Sequence, residues 1–185
     1  MSTLTPTPGQ TIGPFFGYAL PFDRDSELVP PGSPGAVRLH GTVTDGAGVA
    51  VPDALLEIWQ ADAEGAIPTA TGSLHRDGWT FTGWGRASTD REGRYSFTTV
   101  EPGVSQAGSA PFFAVTVFAR GLLNRLFTRA YLPGVQPASD PLLAALDDER
   151  RDTLIAEADE LGLRFDIRLQ GDRETVFLRF PGHRP

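Results

Sequence analysis

Short stretches in which apolar and polar residues alternate recur along the chain, and turn-forming residues separate them. Residues 37–44, 94–100 and 163–169 alternate at the two-residue period of a β-strand that is buried on one face. Glycine and proline contribute 21 and 16 of the 185 residues, which favours many turns over long helices. Strands that recur with turns about every eight to twelve residues are typical of a β-sandwich.

The pattern predicts a mainly β fold, a β-sandwich with an extended N-terminal arm and little helix. We assign residues 1–35 to the arm and residues 36–185 to a single domain, for which the chain is long enough. The expected strands are residues 37–44, 55–60, 86–89, 94–100, 112–119, 124–132, 163–169 and 175–180.

One short helix is expected at residues 142–146, because Asp140 can cap it and Pro141 suits its first position. For residues 148–160 the pattern leaves open whether that helix continues or a strand forms at 153–156.

Composition excludes several classes of protein. The net charge of −7 opposes binding to nucleic acid or to an anionic membrane surface. The absence of cysteine excludes disulfides, thiolate nucleophiles and cysteine-based metal sites. No apolar run approaches the ~20 residues that span a bilayer, and no secretory signal is visible. A soluble cytoplasmic protein is therefore expected.

The N-terminal segment is rich in proline and glycine and has little periodicity, so it cannot form a long helix. It nevertheless carries Ile12, Phe15, Phe16, Leu20 and Phe22, which are costly to leave in water. We therefore expect an extended arm that lies on another surface.

The most specific motifs are VPDALLEIWQADAEG at residues 51–65 and FTGWGR at residues 81–86. They resemble the core motifs P-x-A-x-x-E-I-W-Q-A-(D/N)-A-x-G and F-x-G-(F/W)-G-R of the non-haem iron intradiol ring-cleaving dioxygenases. The resemblance implies the β-sandwich of that family, which holds Fe(III) with two tyrosines and two histidines.

The positions that match those ligands carry other residues here. The first family tyrosine falls two residues after the last glycine of the longer motif, where this chain has Ile67. The second follows a Pro-Gly pair by two residues, where this chain has Ser105. The two histidines form an H-x-H on a strand, and the matching residues are Phe112 and Ala114; a family arginine three residues earlier corresponds to Ser109. The resemblance therefore implies a chain with no metal ligands and no catalytic residues of its own.

The three histidines of the chain do not restore a metal site, because none stands in an H-x-H or H-x-x-x-H pair. We interpret them as structural or surface residues, and we expect two tryptophans to pack in the core or an interface. The histidines are His40, His75 and His183, and the tryptophans are Trp59 and Trp84. Four acids are also expected to be structural: Asp53, Glu57, Asp62 and Glu64.

One enzyme of this family is built from two homologous chains, of which only one supplies iron ligands. This chain resembles the other one, and the additional motifs that carry the likeness are residues 7–15, 118–121, 164–171 and 174–177. The resemblance implies a homologous partner that binds Fe(III), a hetero-oligomer with several such pairs, and an aromatic acid substrate that is cleaved with O2. Carried over position by position, it implies a pocket wall beside the iron of the partner, formed by Thr11, Gly13, Pro14 and Arg120.

Simpler interpretations exist for these residues. Gly13 and Pro14 also suit a turn that seats the arm, Thr11 a backbone hydrogen bond, and Arg120 an ordinary ion pair. For the whole chain, the alternative is a free-standing β-sandwich binding module that has lost the iron site. An autonomous iron or hydrolytic enzyme is not favoured, because the metal ligands, a cysteine and an evident Ser/His/Asp set are all absent.

Overall fold

The computed structural model describes residues 19–69 and 76–180, which form two β-sheets and very little helix. The mainly β fold predicted from the alternating pattern is confirmed. The strands are β1 (Ala36–Thr44), β2 (Leu55–Trp59), β3 (Trp84–Ser88), β4 (Arg94–Val100), β5 (Phe112–Phe118), β6 (Leu126–Tyr131), β7 (Glu157–Asp159), β8 (Gly162–Arg164) and β9 (Ile167–Arg168). The helices are one turn of 3-10 helix (Pro137–Ser139), α1 (Pro141–Ala144) and α2 (Asp148–Asp152). No helix in this part of the chain could cross a membrane.

The first sheet has the strand order β4-β1-β8-β7, and β9 also pairs with β1. The long strand β1 runs antiparallel to β4, with Ala36 opposite Val100 and Thr42 opposite Arg94. Both β8 and β9 lie parallel to β1. Leu39 and Val43 of β1 are fully buried, so the inner face of this strand is the one that the alternating pattern predicts.

The second sheet has the strand order β3-β2-β5-β6, and all its pairs are antiparallel. Alternate residues of β5 point in opposite directions: Phe113, Val115 and Val117 are buried, whereas Phe112 and Ala114 are only partly buried. The inner faces of both sheets contribute to one apolar core, whose large members include Leu39, Leu56, Ile58, Phe97, Phe113 and Phe165.

The predicted continuous strand at residues 163–169 is wrong, because β8 and β9 are separated at Phe165 and Asp166. The carbonyl of Phe165 accepts a hydrogen bond from the buried hydroxyl of Tyr95. The carboxylate of Asp166 accepts one from the backbone N–H of Thr42 at 2.9 Å. These side chains therefore take hydrogen bonds that an uninterrupted ladder would make.

The predicted strand at residues 175–180 is also wrong. This segment lies along β6 but shares one backbone hydrogen bond with it, from Leu178 N to the carbonyl of Phe127 at 2.7 Å. The hydroxyl of Thr128 donates to the carbonyl of Val176 at 2.8 Å and so replaces a further backbone bond.

The helix expected at residues 142–146 is present but ends two residues earlier. The side chain of Asp140 caps it by accepting from Leu142 N at 2.9 Å, as predicted. The helix does not continue beyond residue 146, because Asp147 caps a separate helix, α2. The strand considered at 153–156 is reduced to a single bridge between Ile155 and Tyr131, and β7 follows it.

Candidate functional site

The loop after β2 is organised by one carboxylate. Asp62 Oδ1 accepts hydrogen bonds from Glu64 N at 3.1 Å and from Ala66 N at 2.7 Å. The backbone of Asp62 closes the same turn by donating to the carbonyl of Ala66 at 2.9 Å. This turn fixes the start of the segment that carries Ile67, whose side chain is 66% exposed.

A second loop, which follows β4, packs directly on that turn through two glycines. Gly103 N donates to the carbonyl of Asp62 at 2.7 Å. A Cβ on Gly103 would lie 2.5 Å from the carbonyl oxygen of Ala63 and 2.5 Å from Gly65 N. Gly65 has φ of 89° and its own α-carbon lies against the carbonyl of Val104. The loop that carries Ser105 is therefore held against the loop that carries Ile67.

The third part of the site is the outer face of the second sheet. Ala114 of β5 lies between Trp59 of β2 and Arg129 of β6, and Phe112 lies opposite Tyr131. Trp59 is 45% exposed, whereas its neighbour Trp84 is buried. Trp84 therefore packs in the interior, one of the two expected places, whereas Trp59 lines a surface cavity, and its packing in an interface stays a prediction.

These three parts line an open surface cavity of about 160 Å³. It is lined by Ile67, Ser105, Phe112, Ala114, Trp59, Gln60, Ala61 and Gly103. The structure thus brings together the four positions to which the family motifs assign iron ligands, although they are far apart in the sequence.

The residues at these positions do not fit a ferric ion. Fe(III) in this family needs phenolate and imidazole donors, and among the four residues only Ser105 has a polar side chain, a neutral hydroxyl. Within residues 19–69 and 76–180, no group of three or more His, Asp or Glu side chains could hold a metal ion.

Gln60 also lines the cavity, but both N–H groups of its side-chain amide are used in hydrogen bonds within the chain. Its buried amide nitrogen donates to the carbonyls of Ala61 at 3.0 Å and Val100 at 2.9 Å, and its oxygen accepts from the hydroxyl of Thr99. These bonds join the end of β2 to the end of β4 and satisfy the amide, as a buried polar group requires.

A charged cluster behind Phe112 was not predicted from the sequence. The guanidinium of Arg129 lies 4.0 Å from the centre of the Phe112 ring and 3.7 Å from the carboxylate of Asp140. Arg129 also donates to the hydroxyl oxygen of Tyr131 at 3.0 Å, and Ser109 Oγ lies 3.2 Å from the carboxylate of Asp140. Asp140 was predicted only as a helix cap, and the contact of Arg129 with Phe112 depends on the pairing of β5 with β6, which no local pattern reveals.

Ionisation in this cluster follows from its surroundings. Burial raises the pKa of Tyr131 to about 12, and the hydrogen bond from Arg129 opposes that shift only in part. Burial would also raise the pKa of Asp140, but hydrogen bonds from Leu142 N and the Tyr131 hydroxyl lower it below its usual value. The cluster is therefore an ionised pair with a neutral phenol attached.

Arg120 lies away from this cavity, beyond the opposite end of β5. Its Nε is 3.3 Å from the Asp53 carboxylate, and its side chain is 54% exposed. Arg120 stands six positions after Ala114 and two after the end of β5, which allows a separation of up to roughly 20 Å at about 3.3 Å per residue. The other three residues assigned to the pocket wall, Thr11, Gly13 and Pro14, lie outside the described residues.

The remaining candidate residues make ordinary contacts. His40 bonds to the carboxylate of Asp159 at 3.1 Å, and Glu57 forms an ion pair with Arg86 at 2.6 Å. His75 and His183 lie outside the described residues.

Comparison with known proteins defines the class. Residues 11–113 match the sequence profile of the family described as "Dioxygenase". The dioxygenase domain of a dioxygenase carbohydrate-binding protein fusion from Streptomyces sp. SirexAA-E is 27% identical, with a TM-score of 0.59. That match covers 90% of this chain and 99% of the Streptomyces domain. The chain belongs to the family of intradiol ring-cleaving dioxygenases, which are non-haem iron enzymes, and the resemblance of its motifs to that family is confirmed.

Within the family, the likeness to one particular chain spans the full length. The sequence is 40% identical over 196 residues to the protocatechuate 3,4-dioxygenase alpha chain of Burkholderia cepacia, covering 96% of this chain and 98% of that protein. It is 34% identical over 183 residues to the beta chain from the same organism, covering 86% of this chain and 76% of the beta chain. The chain therefore resembles an alpha chain of this enzyme over its full length, as the motifs predict, and it also resembles the beta chain.

Proposed function

We propose that this chain is the iron-free alpha subunit of a cytoplasmic protocatechuate 3,4-dioxygenase. In this complex a homologous beta chain binds Fe(III), and several alpha–beta pairs assemble into one particle. The complex cleaves 3,4-dihydroxybenzoate with O2 to 3-carboxy-cis,cis-muconate, a step of the β-ketoadipate pathway. Both oxygen atoms enter the product, so the reaction needs no other oxidant. The isolated alpha chain is inactive.

The proposal rests on the residues that line the 160 Å³ cavity. The positions at which the family holds its iron converge there, yet the side chains of Ile67, Phe112 and Ala114 have no atom that could coordinate a metal. A chain that keeps the fold of an iron enzyme without its ligands has a use in catalysis if a second, homologous chain supplies them. The similarity to both an alpha and a beta chain supports that division of labour.

The contribution of the alpha chain to the active site is assigned to Arg120 together with Thr11, Gly13 and Pro14. The exposed guanidinium of Arg120 contacts Asp53 through Nε and keeps its two terminal nitrogens for another group. A planar guanidinium suits the carboxylate of the substrate, or an acid of the beta chain that shapes the pocket. Its distance from the cavity of its own chain favours a role at a neighbouring subunit.

Reconstitution tests the division of labour. The alpha chain, an iron-binding homologue and their complex are purified separately, and iron content and ring cleavage are measured for each. We expect iron and activity in the complex and neither in the alpha chain alone. Stoichiometric iron or ring cleavage by the lone alpha chain would refute the proposal.

The role of Arg120 is tested in the complex by Arg120→Ala, with Arg125→Ala as the matched control. Arg125 is an exposed arginine near Arg120 in sequence and contacts the Phe127 ring. Loss of a charge-assisted hydrogen bond predicts a fall in kcat/KM of about 10- to 100-fold for Arg120→Ala and little change for the control. Equal effects of the two substitutions would remove Arg120 from the site.

A further inference from the structure

The cavity that lacks metal ligands is lined mainly by apolar side chains, which suits an uncharged ligand. Trp59, Ile67, Phe112 and Ala114 contribute apolar surface to it. Gln60 also borders it, but its amide is engaged in three hydrogen bonds. The Ser105 hydroxyl makes no hydrogen bond within the described part of the chain, so it can accept a hydrogen bond from a ligand or donate one to it. The indole N–H of Trp59, which also lines the cavity, can only donate.

The dimensions of the cavity match one aromatic ring. Its volume of about 160 Å³ is close to the ~150 Å³ of an apolar protein cavity that binds benzene. Phe112 offers a ring for offset or edge contact, and the neighbouring guanidinium of Arg129 holds that ring in place. Exposed Ile67 and Val104 place further apolar surface near the mouth.

The charge around the cavity favours a neutral ligand over an anion. Arg129 is the nearest cation to Phe112, but Asp140 compensates its charge at 3.7 Å and Tyr131 accepts one of its hydrogen bonds. An aromatic carboxylate in the cavity would lose water without gaining an unpaired cation.

We propose that this cavity binds a small neutral aromatic ring, with a phenolic hydroxyl directed to Ser105. The site is separate from the metal chemistry of the proposed complex and does not depend on the proposed function. It needs neither iron nor a partner chain, so its failure would leave the role as an alpha subunit untouched.

Methyl NMR on the full-length chain tests the proposal with phenol, fluorobenzene and benzoate as probes. Ring currents of a bound ligand should shift the methyl signals of Ile67, while the buried methyl groups of Ile167 serve as an internal control. We expect saturable shifts at Ile67 with a dissociation constant on the order of 1 mM for phenol, as suits about seven heavy atoms. Benzoate should bind at least tenfold more weakly.

Two substitutions locate the site. Ala114→Leu fills the cavity and should weaken phenol binding at least tenfold, whereas Thr116→Leu, two residues along the same face of β5, should leave it within about twofold. Ile67→Ala removes an exposed wall residue without risk to folding, and it should weaken binding severalfold when Trp59 indole signals are followed. No saturable shift at Ile67, equal binding of benzoate, or unchanged binding in both Ala114→Leu and Ile67→Ala would overturn the proposal.

Discussion

Two glycines allow the loops on either side of the cavity to touch. Gly65 has a positive φ that other residues rarely adopt, and Gly103 lies so close to the backbone of Ala63 that a side chain has no space. The atoms that a Cβ would meet are backbone atoms of a turn closed by Asp62, which cannot shift without losing hydrogen bonds. The shape of the cavity therefore depends on the absence of two side chains.

Gly103→Ala tests this dependence. The added methyl group would meet backbone atoms at 2.5 Å, so we expect the free energy of unfolding to fall by about 1 to 3 kcal/mol. The control is Val104→Ala at the adjacent position, where the side chain is 54% exposed and the change should stay within about 0.5 kcal/mol. Urea denaturation measures both, and equal stability of the two variants would contradict the proposed contact between the loops.

At the scale of elements, the cluster of Arg129, Tyr131 and Asp140 joins β6 to the start of α1. Asp140 caps that helix and also lies 3.3 Å from Ala110 N at the approach to β5. The buried hydroxyl of Tyr95 makes a comparable connection between β4 and the break after β8. Both phenols are neutral in the folded chain, because burial raises the pKa of Tyr131 to about 12 and that of Tyr95 well above its usual value.

Alkaline pH should therefore destabilise the fold through tyrosine alone. The chain contains neither lysine nor cysteine, so tyrosine is the one side chain with a usual pKa between about 9 and 12. In the unfolded chain Tyr131 loses its proton near pH 10, but in the folded chain it does so near pH 12. Its stabilising contribution is complete below about pH 10 and is lost as the pH rises towards 12.

The measurement is urea denaturation at about pH 9 and pH 11. The free energy of unfolding should be about 1 to 3 kcal/mol lower at the higher pH. Tyr131→Phe should reduce that difference and leave the part that comes from Tyr95. A fold that is equally stable at both values, or a difference that Tyr131→Phe does not change, would mean that Tyr131 ionises freely.

The elements that could be predicted from the sequence are those whose signal is local. Alternation, or a short apolar run between turn residues, indicated the strands from β1 to β6, and Asp140-Pro141 indicated the start of α1. The break at Phe165 was missed because the hydroxyl of Tyr95, 70 residues away, donates a hydrogen bond to that carbonyl. Arg129 was missed for a similar reason, since its position beside Ala114 depends on strand register.

At the scale of the whole molecule, the second sheet presents different chemistry at its two ends. The apolar cavity lies at the end of β5 that carries Phe112, and the exposed guanidinium of Arg120 lies beyond the other end. The described chain enters near the edge strand β3, where Phe22 stacks on Trp84 at 6.2 Å and the Leu20 carbonyl accepts from Arg86 at 2.8 Å. The first described residues, 19–22, therefore lie at that edge.

Deletion of residues 1–18 distinguishes a subunit from a free-standing module. Ile12, Phe15 and Phe16 are costly to expose, which favours their burial against another chain. We expect the deletion to weaken association with the iron-binding partner at least tenfold while the circular dichroism of the β-sandwich is retained.

The control is deletion of residues 181–185, which removes a terminus without that apolar content and should leave association unchanged. Sedimentation of each variant with and without the partner measures the effect. A full-length chain that stays monomeric beside its partner, and whose behaviour the longer deletion does not alter, would favour the binding module. If only the deletion of residues 1–18 abolishes association, these residues are part of the interface with the partner, and their apolar side chains are buried there.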